Sequence, residues 1–162
     1  MATVKGLAPD TFERLLGAGA LIVLAAMLTA LARGFADWDR VPLPVWVHLA
    51  TIATALILTP VMLWRRRGDE RHRVLGYVWV AAMAMTAIDS LAIRMINRGG
   101  FSVIHLLSIW TLIQVPLIVW SARSHNHARH RSSVRGMVLG ALLIAGFFTF
   151  PFERMLGHWL FG

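Results

Sequence analysis

No cysteine occurs in the 162 residues. Its absence rules out disulfides, thiolate metal ligands, iron–sulfur clusters and covalent c-type haem attachment. Any metal chemistry must therefore rest on imidazole and carboxylate. Charge is scarce too: 15% of the residues are charged against 57% hydrophobic, a balance that suits a bilayer and not water. The chain also lacks an extended linker, a low-complexity tract and a convincing tandem repeat. It has no phosphate-cradling glycine loop, and its serines have no histidine–carboxylate partnership, so nothing resembles a hydrolytic or nucleophilic site. Turns of about ten residues leave one compact helical bundle as the economical reading.

Five apolar runs approach the roughly 20 residues that span a bilayer as helix: Leu15 to Leu31, Leu43 to Trp64, Val74 to Ile96, Phe101 to Trp120 and Val134 to Phe152. The expected fold is an all-α membrane bundle: a peripheral helix at 15–31, a four-helix core at 43–152 and a short interfacial segment at 153–162. Ala30-Leu31-Ala32 also reads as a signal-peptidase site. Retention is preferred, because Asp10 and Glu13 stand with Lys5 and Arg14 before a run longer than a usual signal core.

Basic residues set the orientation, since short cytoplasmic loops collect positive charge. Eleven fall on the side of Lys5, Arg14, "RRRGDERHR" and "RSHNHARHRSSVR", against Arg33, Arg40, Arg94, Arg98 and Arg154 on the other. The amino terminus is expected in the cytoplasm and the carboxyl terminus in the periplasm. The excess of arginine over lysine suggests a GC-rich bacterium, and the expected location is its cytoplasmic membrane. A net charge of +8 placed at helix ends beside Trp64, Trp79 and Trp120 fits anionic headgroups better than nucleic acid.

Four histidines, His48, His72, His105 and His130, stand at alternating ends of successive runs. His48 and His105 share the outer depth; His72 and His130 share the inner one. Two imidazole pairs on two leaflets suggest two bis-histidine haem b sites, each closed to oxygen and fitted to pass electrons. His48, Thr51, Ala55 and Thr59 form a small or weakly polar stripe, as do Ser102, His105 and Ser108. Such stripes can flank a ring and orient an imidazole, or pack helix on helix. For a single histidine the packing role is favoured; the matched depths favour ligation.

At the inner pair, Gly76 and Gly136 follow His72 and His130 and would let a flat ring approach the backbone. His125 and His127 share the turn with His130 and compete for the same role, and "HNHARH" can also be read as a zinc or copper site. Asp89 is the one carboxylate well inside an expected span. It lies near the depth of the outer pair and can serve as an acceptor for a ligating imidazole, although a helical wheel sets it roughly 140° from Gly76. Its other roles are an ion pair with a rim arginine or a protonated buried carboxyl. Arg94 and Arg98 can neutralise outer haem propionates, and Arg71, Arg73, Arg131 and Arg135 inner ones; topology alone also explains all six. Pro60 and Pro116 bend their helices, and Gly136 with Gly140 suits close packing.

From about Trp46 onward the chain resembles the bacterial membrane-protein family catalogued as domain of unknown function 2306. The resembling segments are His48 early in its helix, "RHRVLG", "GGFSVIHLLSIWTL", "HRSSVRGMV" and "AGFFTFPFERMLGHWLFG". Where that family closes on a Pro-Gly-Arg-like pattern, this chain has Pro151, Phe152, Glu153 and Arg154. The resemblance implies a fold and no activity. The four histidines are also similar in layout to cytochrome b561, which implies pairing of His48 with His105 and of His72 with His130, and electron transfer from ascorbate or quinol.

The leading expectation is a di-haem b membrane electron carrier, with a quinone or small molecule as donor. From His72 to Asp89, at the depth of the outer pair, is about 25 Å along a helix, a span two macrocycles can largely bridge. The alternative is a cofactor-free subunit or assembly factor of a larger membrane complex, or a homodimer. A third reading is a metal or proton transporter using Asp89 with His48 and His105.

Overall fold

The computed structural model describes residues 8–65, 67–92, 103–151 and 154–162, and among these residues there is no strand. Helix α1 (Thr11–Arg33) begins at a capping box: the Asp10 carboxylate accepts the Glu13 N–H at 3.0 Å, and Glu13 Oε2 accepts the Asp10 N–H at 3.1 Å. It ends at Gly34, whose N–H bonds the Ala30 carbonyl. A 3₁₀ turn (Phe35–Arg40) follows, held by the Trp38 indole donating to the Leu31 carbonyl at 3.1 Å and standing edge-on to Trp46.

Pro42 and Pro44 open α2 (Leu43–Trp64), where a missing N–H costs nothing. The turn to α3 (Glu70–Ala92) passes through Gly68 at φ +92°, a left-handed conformation natural to glycine. The Asp69 carboxylate then accepts the His72 N–H at 2.7 Å and starts α3. Helix α4 (Val103–Arg123) ends in a turn with His125 at φ +56°, and Asn126 caps α5 (His127–Met137) by accepting the Arg129 N–H. Right-handed helical dihedrals carry α5 straight into a π-helical stretch (Val138–Ile144) and α6 (Ala145–Phe147), and α7 (Met155–Phe161) closes the chain.

Helices α1 to α4 are long and apolar enough to cross a membrane. Large apolar side chains such as Ile22 and Leu106 point outward at 70% and 66% exposure, which water would penalise and lipid would not. The fifth expected span falls on the end of α5, the π-helical stretch and α6, with Phe152 outside the described residues. Arg129, Arg131 and Arg135 make the first three turns of that unit polar, and no single piece of it has the length of a span.

Helices α2, α3, α4 and α5 follow one another around the bundle, and the π-helical stretch closes the ring onto α2. Helix α1 lies outside, against α2 and the π-helical stretch, and α7 packs on α1. Gly17 and Gly34 permit two close fits: a Cβ at either position would overlap the indole of Trp64 or Trp159 respectively.

Candidate functional site

The α2 stripe meets α3 rung by rung. His48 Nδ1 stands 3.7 Å from Asp89 Oδ2, the Thr86 hydroxyl donates to Thr51 Oγ1 at 2.8 Å, and the Trp79 indole N–H donates to Thr59 Oγ1 at 3.0 Å. The antiparallel register thus puts the three polar α2 positions His48, Thr51 and Thr59 along the α2–α3 seam. Asp89 is brought to His48, as an acceptor for an imidazole would be, though the separation is longer than a direct hydrogen bond. Both atoms are buried and have no hydrogen-bond partner among the described residues.

Beside His48 a cavity of about 100 Å³ opens at the middle of the ring. Thr86, Ser90, Ser108, Thr111 and Thr149 give it hydroxyls, and Ala141, Ala145 and Gly146 give it small walls where the π-helical stretch runs into α6. Single π-turns often mark functional sites. His105 is buried on α4 one turn before Ser108.

The other end holds the inner pair. His130 Nδ1 is 3.1 Å from the Ile118 carbonyl on α4; a carbonyl only accepts, so Nδ1 carries the proton and Nε2 keeps its lone pair. Burial pushes the His130 pKa below the usual histidine value and Arg67 adds to that, while the bond to Ile118 opposes it. The buried Nδ1 of His72 has no hydrogen-bond partner among the described residues. Arg67 and Arg131 both pair with Glu13, which brings His72, in the first turn of α3, and His130, next to Arg131, to the same end of the bundle. His125 and His127 point away as exposed side chains, and among the described residues no three His, Asp or Glu side chains gather to hold a metal ion.

A charge cluster the sequence reading passed over adjoins this pair. Glu13 is 1% exposed and pairs with Arg67, with Arg131 at 2.7 Å and with Arg135 at 3.0 Å. Asp10 pairs with Arg131 at 3.1 Å and with Arg135. The arginines expected to meet inner propionates are thus engaged with α1, while Arg71 and Arg73 are exposed. The signal for Glu13 was the Asp-x-x-Glu capping box. Its burial needed the fold, because the arginines lie 118 and 122 residues away. Arg94 and Arg98 lie outside the described residues. A Cβ on Gly76 would make ordinary contact with Met62, and one on Gly136 would meet open space, so neither glycine is needed for a tight approach between these helices.

The two histidine pairs differ in how they suit haem. At the inner pair the donor chemistry fits: one imidazole is oriented through Nδ1 by a carbonyl, the usual way a ligating histidine is held, and the other has an unpartnered nitrogen. At the outer cavity, with the helices where they stand, about 100 Å³ is well short of the roughly 300 Å³ at which ligand pockets begin, and a porphyrin does not fit. Comparison with known proteins finds no family model that matches the chain, and no match among curated proteins or solved structures.

Proposed function

We propose that the chain is an integral membrane haem b protein that passes electrons through a bis-histidine site, in which His72 and His130 would hold the haem. The observation that carries this reading is the His130 Nδ1–Ile118 bond at 3.1 Å, which leaves the Nε2 lone pair unused at the end of the bundle that also holds His72. Bound there, haem would supply one-electron redox chemistry. The chain's own part is to hold both imidazoles through α3, α4 and α5, to shield them from water, and to keep Arg67 close by for a propionate or a reduced ring. The proposal extends to a fifth crossing through the π-helical stretch and to a cytoplasmic amino terminus, both supported by the gathering of arginines at one end of the bundle.

A second reading, a cofactor-free subunit of a larger membrane complex, is favoured by the α2–α3 rungs, in which His48, Thr51 and Thr59 act as interhelical polar contacts.

A dithionite-reduced minus oxidised visible spectrum of detergent-purified protein, expressed with ample haem, separates the two. Sharp b-type bands that disappear in His72→Ala and in His130→Ala, but persist in His125→Ala and His127→Ala, are expected. A colourless native chain would transfer the assignment to the cofactor-free subunit. Loss of a second haem in His48→Ala and His105→Ala would mean that the ring opens at the outer cavity to admit a porphyrin.

A further inference from the structure

On the outer wall of the bundle, α1 and α2 leave an open groove of about 500 Å³. Its sides are Leu21 and Leu24 from α1 and Ile57, Pro60 and Val61 from α2, and Trp64 and Arg65 close one end. Both walls are helices able to cross a membrane, so the groove faces hydrocarbon and its occupant must be lipid-soluble along this length. Gly17 to Leu24 covers about 10 Å of helix rise, roughly two-thirds of one leaflet of a 30 Å hydrocarbon core.

The closed end tells what the occupant carries. The Trp64 indole lies over Gly17 and its N–H donates to the Arg14 carbonyl at 3.4 Å, the placement of a tryptophan at headgroup level. Arg14 shares a helical face with Gly17, Leu21 and Leu24. Side chains tilt toward the amino end of a helix, which carries its guanidinium past Trp64 toward the headgroups, and it has no ion-pair partner among the described residues. Arg65 spends one nitrogen on Asp69 at 3.0 Å and stays partly exposed. Around them, nine described arginines stand against four acids at this end of the bundle, and Glu13 and Asp10 are already taken by Arg67, Arg131 and Arg135.

We propose that this groove is a binding site for an anionic phospholipid, one acyl chain lying between α1 and α2 and the phosphate held at Arg14 and Arg65. No histidine lines the groove, so the site stands apart from the function proposed above.

The test is native mass spectrometry of the full chain in detergent with equal amounts of dioleoyl phosphatidylglycerol and dioleoyl phosphatidylcholine. The native chain should retain the anionic lipid over the zwitterionic one by about fivefold for each arginine near the phosphate. Arg14→Gln with Arg65→Gln, one exposed and one partly exposed change outside the core, should bring the two lipids level. Val61→Trp, which fills the groove from its lipid-facing side, should reduce retention of both. Equal retention of the two lipids by the native chain, or an unaltered preference in the double arginine variant, would overturn the proposal. So would a dimer that excludes lipid and dissociates in Val61→Trp, which would make a second copy the occupant.

Discussion

Glu13 shows how one side chain can organise an end of this molecule. A buried carboxylate is tolerable only when paired, and here it collects Arg67 from the α2–α3 turn and Arg131 and Arg135 from α5. Arg131 is in turn held more firmly protonated by its bond to Glu13. Glu13→Gln removes the carboxylate shared by three guanidinium groups, of which Arg131 and Arg135 keep Asp10, and should cost about 3–5 kcal/mol, the range for breaking a buried pair from one side, read as a lowered unfolding midpoint in detergent. Arg135→Gln, which leaves two partners in place, should cost less. His130 makes a pH prediction. Its folded pKa is lowered, chiefly by burial, so as pH falls the unfolded chain takes up the proton first. In the haem-free chain, stability present at and above neutrality should be lost as pH drops through about 6.5, and His130→Gln should flatten that part of the Tm–pH curve.

Between elements, the α2–α3 seam is the clearest case of a pattern with two possible partners. The stripe His48, Thr51, Ala55, Thr59 has helical spacing, which defines a face but not the helix that covers it. The antiparallel α2–α3 hairpin covers it with Asp89, Thr86 and Trp79. Thr59→Val removes the acceptor of the buried Trp79 N–H and should cost about 1 kcal/mol, the scale of interhelical hydrogen bonds in membranes. Thr54→Val, whose hydroxyl bonds only its own helix at Ala50, should be near neutral in the same unfolding assay. Between α1 and α2, Gly17→Leu must displace the Trp64 indole and should cost about 1–3 kcal/mol.

For the whole molecule, the absence of cysteine makes topology directly measurable, since each introduced thiol is the only one. In intact cells a membrane-impermeant maleimide should label Asp37→Cys, in the turn after α1, and spare Ser124→Cys, in the turn after α4; the reverse pattern would invert the proposed orientation. The helical class and four of the five expected spans, now seen as helices long and apolar enough to cross a membrane, were legible along the chain because length and apolar content are local properties that a bilayer reads directly. The helices start earlier than the apolar runs at Leu15, Val74 and Val134, because Asp10, Asp69 and Asn126 cap the backbone within three residues, a local signal that apolar content alone does not register. Other features were decided only when distant segments met: the burial of Glu13 by arginines more than a hundred residues away, the turning of the His48 stripe toward α3, the inward placement of His130 while His125 and His127 stay exposed, and the π-helical stretch beside a small polar cavity. The physical reason is that hydrophobic periodicity specifies which face of a helix is covered. The identity of the covering helix, and whether the space between helices admits a cofactor, depend on register and interhelical distance, which no single segment encodes.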